Sequence, residues 1–363
     1  MIQLRQQRFH LPRVIAVGGW VCISLIIQVG CLSLMSRASA SEKRPSYVGF
    51  QEIDPAKRQF IIVSDTQATS HWEFWRERND RERKLILDEI TRREPAFVVH
   101  LGDLTTRGSS DKHWGQFDEF HKGLREKKIP YFPILGNHEF YGNDPMALES
   151  YFGRFPHLEK RRWYSFTWKK VGFILLDSNF STLNADQKQE QERWYLRELE
   201  RFDRDRGIET ILAFCHASPY TNSYVVAPSE RSKIYFADPF LRFGKASLFF
   251  SGHSHTYERF GVDGKFFIVS GGGGGPRHKV STDPEKRRYQ DLYPGPGLRF
   301  FHFCEIEMGE TALHFRVVRL EADGTFTVAD PLILPKPLPP PGGNGKTGEI
   351  SVEHHGRSLI NLE

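Results

Sequence analysis

The chain has 363 residues, 39% of them hydrophobic and 26% charged, a balance that supports a packed core and excludes a disordered or fibrous protein. Its formal charge of +5 falls to +1 when the four arginines of residues 1–40 (Arg5, Arg8, Arg13, Arg37) are set aside, because that stretch contains no acid. A near-neutral remainder gives no electrostatic footprint for nucleic acid.

The chain opens with a targeting segment. Basic residues lead into an apolar stretch over 14–35, followed by the small residues Ala38-Ser39-Ala40. That order predicts a signal peptide cleaved after Ala40. The apolar stretch is also long enough to serve as an uncleaved N-terminal membrane anchor. Either reading places the rest of the chain outside the cytoplasm, as a periplasmic, secreted or tethered protein. Of the four cysteines, Cys22 and Cys31 belong to this segment. Cys215 and Cys304 lie in strand-like runs and read as unpaired buried thiols. Residues 41–58 are polar and read as a linker.

From residue 59 strand and helix signals alternate. A strand over 60–64 precedes a helix over 80–93, with Leu85, Ile86 and Ile90 on its apolar face and Pro95 as its stop. A strand over 97–101, a helix over 114–127 and a strand over 130–135 follow. Two strands (163–168 and 172–177) lead to a helix starting near Asn184 that carries Trp194, Tyr195, Leu199 and Phe202 on its buried side. Further strands are expected at 211–214, 248–250, 266–270, 298–308 and 313–320. The glycine run 271–275 lacks the strand–helix setting and the lysine of a phosphate-binding loop, so it reads as a flexible turn. Residues 335–363 open with a Pro/Gly-rich run and read as a disordered tail. The pattern predicts an α/β fold with mixed sheets and one domain over 59–334.

Five strand ends carry donors suited to metal ions: Ser64-Asp65-Thr66-Gln67, Gly102-Asp103, Gly136-Asn137-His138-Glu139, Cys215-His216 and Gly252-His253-Ser254-His255. Any one of these is an ordinary loop residue. An ordered set of carboxylates, an amide and imidazoles, each at the carboxyl end of a strand, points to a two-metal hydrolase.

The order of these motifs resembles the calcineurin-like metallophosphoesterase superfamily, over about residues 59–275. The run from His253 to Arg259 and the Ala217-Ser218-Pro219-Tyr220 after His216 are similar to purple acid phosphatases. The resemblance implies a four-layer α/β/β/α sandwich with two mixed sheets. It also implies two metal ions per chain (Mn, Fe or Zn), bridged by Asp103. Asp65, Gln67 and His255 would complete one site; Asn137, His216 and His253 would hold the other. In the family a water or hydroxide on the metals attacks phosphorus in line. His138 would protonate the leaving oxygen.

Two departures from the family pattern stand out. Gln67 occupies a position where the family usually has a ligating histidine, and an amide oxygen is the weaker donor. Thr106 stands where purple enzymes place a charge-transfer tyrosine, so a purple colour is not expected. The expected function is extracytoplasmic hydrolysis of small phosphate monoesters. A phosphodiesterase on the same fold and a catalytically weak binding protein are the alternatives. Arg107 and Arg277 are candidate cations near the metals, and Arg107, Tyr141, Asn222 and Tyr257 are candidates for the pocket lining by adjacency to the ligands alone.

Overall fold

The computed structural model describes residues 44–335 apart from 71, 72 and 74, and the architecture is that of the compact unit beginning at Ser46. The targeting segment and the residues after 335 lie outside the described residues. No described helix is long and apolar enough to cross a membrane.

Two six-stranded mixed sheets form the centre. The first contains β1 (Gln59–Val63), β2 (Val98–His100) and β3 (Tyr131–Pro133), paired in parallel. β10 (His302–Met308), β11 (Ala312–Leu320) and β12 (Phe326–Pro335) extend it antiparallel beyond β1. The second contains β5 (Val171–Leu175), β6 (Thr210–Cys215), β7 (Ala246–Ser251) and β9 (Lys265–Ser270) in parallel. β4 (Tyr164–Trp168) and β8 (Tyr257–Val262) close its two edges antiparallel.

Side-chain alternation along the strands decides the layering. In the second sheet Phe173, Leu175, Leu212 and Phe214 join a core shared with the first sheet. Their neighbours Ile174, Ile211, Ala213 and Cys215 pack outward against Tyr195, Leu199 and Phe202. Those last three residues come from α5 (Ala185–Arg204), which opens with an Asn184–Gln187 capping box. On the outer side of the first sheet lie α1 (Asp80–Arg93), α2 (Asp111–Phe120) and α3 (Lys122–Glu126), with α4 (Asp144–Arg154) following β3 in the chain. The helix expected over 114–127 is thus two helices, parted at His121, whose ring Nδ1 donates to the Phe117 carbonyl at 2.9 Å.

Three expectations are corrected. Residues 46–53 are part of the packed unit, not a linker. Tyr47 and Ile53 are buried in the core, and the Tyr47 amide donates to the Arg154 carbonyl at 2.8 Å. The glycine run is not a loose turn. Gly271, Gly273 and Gly275 donate to the carbonyls of Thr256, Ser64 and Asp65 at 2.9, 2.9 and 2.7 Å. Finally, β8, β12 and α4 were not read from the sequence. β12 contains Pro331, which argues against a central strand, but β12 is the sheet edge, where a missing N–H is tolerated.

The corner between α2 and α4 is held by charge. Arg154 donates to Asp118 from Nε at 3.1 and 3.0 Å and from Nη2 at 2.8 Å, and both side chains are buried. The guanidinium also lies over Trp114, 4.6 Å from the ring centroid. Replacing Arg154 leaves Asp118 as an uncompensated buried charge. Arg154→Met is expected to lower unfolding stability by about 3–5 kcal/mol, read as a drop in urea midpoint at unchanged slope.

Candidate metal centre

The donors converge where the carboxyl ends of both sheets meet. Asp65 follows β1, Asp103 follows β2 and Asn137 follows β3; His216 follows β6, and His253 and His255 follow β7. Two groups of donor atoms, each within 4.8 Å of one another, result: Asp103 with His216 and His253, and Asp65 with Asp103 and His255. Asp103 belongs to both.

Close turns produce this convergence. Asp65, Asp103, His253 and His255 have φ of 58°, 56°, 66° and 43°, a left-handed region that costs a non-glycine residue about 1–3 kcal/mol. Four such residues at one place mark a site the surrounding structure is built to hold. Glycines let the backbones approach. A Cβ on Gly136 would stand 2.2 Å from Asp103 Oδ1, and one on Gly252 would stand 2.2 Å from Ser64 Oγ.

Hydrogen bonds aim the donors. His216 Nδ1 lies 2.7 Å from the Leu101 carbonyl and His255 Nδ1 lies 2.8 Å from the Pro276 carbonyl. A carbonyl only accepts, so each Nδ1 carries a proton and each Nε2 is the atom turned to the donor cluster. Each Nε2 faces a carboxylate: His216 Nε2 is 3.3 Å from Asp103 Oδ1, and His255 Nε2 is 3.2 Å from Asp65 Oδ1. Asn137 donates from Nδ2 to the Tyr141 hydroxyl at 2.9 Å, which turns its Oδ1 toward His216 Nε2 at 3.1 Å. Gln67 Nε2 lies 3.2 Å from Asp103 Oδ2 and 3.1 Å from His255 Nε2, while its Oε1 is buried without a partner.

Carboxylates and imidazoles pressed together in a buried space set one another's charge. Burial opposes charge on Asp103, yet His216 and His138 hold its carboxyl well below the usual range. Burial likewise opposes a proton on His216, but the Asp103 carboxylate pushes it up to about 9. His253, with burial and the neighbouring His216 both against it, is lowered to about 4. The donor chemistry fits two first-row ions sharing one carboxylate.

Glu139 is the residue the sequence reading passed over, although it stands inside the Gly-Asn-His-Glu motif. Its Oε2 accepts from the amides of Asp103 at 2.8 Å and Gly136 at 2.7 Å. Its Oε1 accepts from Leu104 at 2.8 Å and Thr105 at 3.2 Å. One buried carboxylate therefore ties the Asp103 loop to the Asn137 loop.

His138 donates from Nδ1 to the Thr106 carbonyl at 2.9 Å, packs against the tilted Tyr141 ring at 4.4 Å and lines the cleft with the donors. That cleft encloses about 790 Å³, a volume suited to a small molecule. Arg107 and Tyr141 line it as expected. Arg277 does not; it is bound to Glu77 at 2.6 Å and to the Arg299 carbonyl at 3.1 Å. Asn222 is buried and accepts from the amides of Arg288 and Tyr289. Tyr257 is buried and donates to Asp330 at 2.6 Å. His278 stacks on His255 at 4.5 Å and joins the cleft wall. His71 lies outside the described residues.

The two facing sheets and this donor set define a metal-dependent hydrolase scaffold. The calcineurin-like phosphoesterase family model matches residues 58–257, and the chain belongs to that family. A probable purple acid phosphatase 20 of Arabidopsis thaliana is 24% identical over 279 residues, covering 70% of this chain and 60% of that one. Among solved structures, GAP50, the anchor in the inner membrane complex of Plasmodium, superposes with a TM-score of 0.60 at 16% identity. That match covers 77% of this chain and 89% of the other. A purple acid phosphatase from yellow lupin (Lupinus luteus) seeds superposes at 0.58 and 17% identity, covering 77% and 54%. The chain spans about half the length of the curated relatives it matches.

The Glu139 clamp has a direct test. In Glu139→Gln either amide orientation turns an NH₂ group against two backbone N–H donors. The variant is expected to lose about 2–4 kcal/mol of stability and to retain less metal after dialysis, read by calorimetric melting and by elemental analysis.

Proposed function

We propose that the chain is an extracytoplasmic, dinuclear-metal phosphoesterase acting on small phosphate monoesters. The observation that carries this reading is the pair of buried donor groups sharing Asp103 at the floor of the cleft. In this reading Asp65, Gln67, His255 and Asp103 hold one ion, and Asp103, Asn137, His216 and His253 hold the other. When bound, two such ions neutralise charge on the phosphoryl oxygens and acidify a water for in-line attack.

The chain's own residues supply the rest. Asp103 offers both oxygens to the shared position, and its Oδ1 is fixed by the His138 amide at 3.0 Å. His138 has its Nδ1 proton committed to Thr106, so Nε2 is the atom left to exchange a proton with the leaving oxygen. Its Nε2 lies 3.9 Å from Asp103 Oδ2, close enough to the donors to reach an ester oxygen seated on them. Tyr141 packs against the same ring, tilted to it, and its hydroxyl accepts from Asn137, coupling proton donor to metal donor. The expected export rests on the signal-like residues 1–40.

The deciding experiment strips the protein of metal and titrates it with Mn²⁺, Fe²⁺ and Zn²⁺ while following p-nitrophenyl phosphate and bis-p-nitrophenyl phosphate. Activity restored at close to two ions per chain, favouring the monoester, is the expected result; a diester preference moves the assignment to a phosphodiesterase. Asp103→Ala is expected to bind far less of either ion, and equal binding would sink the two-metal reading.

His138→Ala is expected to keep both ions and lose about 10²–10⁴-fold in kcat on alkyl phosphates. The loss on p-nitrophenyl phosphate, whose leaving group needs little protonation, is expected to be smaller. Equal losses on both substrates would remove His138 as the proton donor.

A further inference from the structure

The chain after Gln67 returns to the fold at Glu77 through several ties. Thr69 Oγ1 donates to the Glu77 carbonyl at 2.6 Å. The Glu77 carboxylate accepts from the Arg277 amide at 3.1 Å, from Nε at 3.1 Å and from Nη2 at 2.6 Å. Asn79 Nδ2 donates to the Gly275 carbonyl at 3.3 Å. The base of this segment is therefore anchored to the glycine run beside His255. Within it the Glu73 amide donates to Ser70 and the Arg76 amide to Glu73, at 3.0 and 2.9 Å. These turns bring Glu73 and Arg76 to the cleft wall, together with Asp103, His253 and His255.

Arg76 is paired with Glu73 at 3.2 Å, and about a third of each side chain remains exposed. Tyr141, packed against His138, and His278, stacked on His255, line the same cleft. The Arg76 guanidinium therefore shares the cleft with both donor groups. Arg277, in contrast, is consumed by Glu77 and by the Phe301 ring at 4.6 Å.

We propose that Arg76 anchors the substrate's phosphoryl group and is the residue that selects monoester dianions over diester monoanions. The proposal rests on the phosphoesterase reading above. A planar guanidinium donates two parallel N–H bonds to a pair of phosphoryl oxygens. A monoester offers an additional charged oxygen to such a fork, whereas a diester carries an alkyl or aryl group at that oxygen. Glu73 keeps the fork oriented at the rim through an exposed, low-cost pair that substrate can displace.

The test compares wild type, Arg76→Ala and Arg76→Lys, each loaded with Mn²⁺ and checked for metal content and melting temperature. For Arg76→Ala, kcat/KM on p-nitrophenyl phosphate is expected to fall about 10–100-fold. On bis-p-nitrophenyl phosphate the fall is expected to stay under about threefold, since the diester makes no use of the fork. Arg76→Lys keeps the charge without the fork and is expected to recover part of the monoester loss. Equal losses on both substrates, or no loss on either, overturn the proposal.

Inorganic phosphate titrated calorimetrically into the same three proteins gives a readout that needs no turnover. Binding weakened about tenfold or more in Arg76→Ala supports the anchor, and unchanged binding overturns it. If wild type is inactive on both esters, the phosphoesterase reading fails by itself and the phosphate titration still judges Arg76.

Discussion

The structure depends on a buried junction of carboxylates and imidazoles that a proton or a metal ion must hold together. Backbone carbonyls fix Nδ1 of His216 and His255, so that their Nε2 atoms face Asp103 and Asp65. Asn137 is held by Tyr141 so that its oxygen points the same way. Each of these groups had a cheaper partner in water. Their convergence places four donors in left-handed backbone, strain that the surrounding structure must hold.

The same junction joins the two sheets. Asp65, Asp103 and Asn137 come from one, and His216, His253 and His255 from the other. Cross-sheet hydrogen bonds prepare the junction: the His253 amide donates to both Asp65 oxygens at 3.2 and 3.1 Å, and His216 Nδ1 donates to Leu101. The glycine run after β9 lies against the β1 end, where side chains would collide; a Cβ on Gly273 would come within 2.3 Å of the Ser64 carbonyl oxygen. The apolar core sets how the sheets face each other, and the polar junction sets their register at one end. Precision at the site is therefore a property of both sheets together.

Much of the site was legible because its chemistry sits in short motifs at strand ends, where residue type and position suffice. Asp103, His216 and His253 come together, as do Asp65, Asp103 and His255, in the groups that the family resemblance implies, with Asn137 Oδ1 3.1 Å from His216 Nε2. What was not legible depends on distant partners. Glu139 acts through amides 34 to 36 residues earlier and through Gly136. Arg76 adjoins Glu77, which is tied to Arg277, 200 residues on. Arg277 was a candidate cation near the metals, and that same bond engages it away from the cleft. Tyr47 looked like part of a polar linker because its burial rests on Tyr131 and Phe155, aromatic contacts with no local signature.

Gln67 is where the chain departs most from the family pattern, and the geometry bears on what the departure means. An amide serving only the scaffold would satisfy both of its ends. Gln67 instead has its oxygen buried without a partner and its nitrogen among acceptors. An unmet buried acceptor costs about 1–3 kcal/mol, and rotating the amide exchanges the two ends without relieving the crowding of acceptors. As it stands the nitrogen donates to Asp103 and the oxygen is turned away; an ion held by Gln67 would need the opposite orientation of the amide. Exchanging imidazole for amide leaves the charge of the donor set unchanged, since both are neutral ligands. In the two-ion reading the substitution therefore bears on how tightly one ion is held, and not on the charge of the donor set.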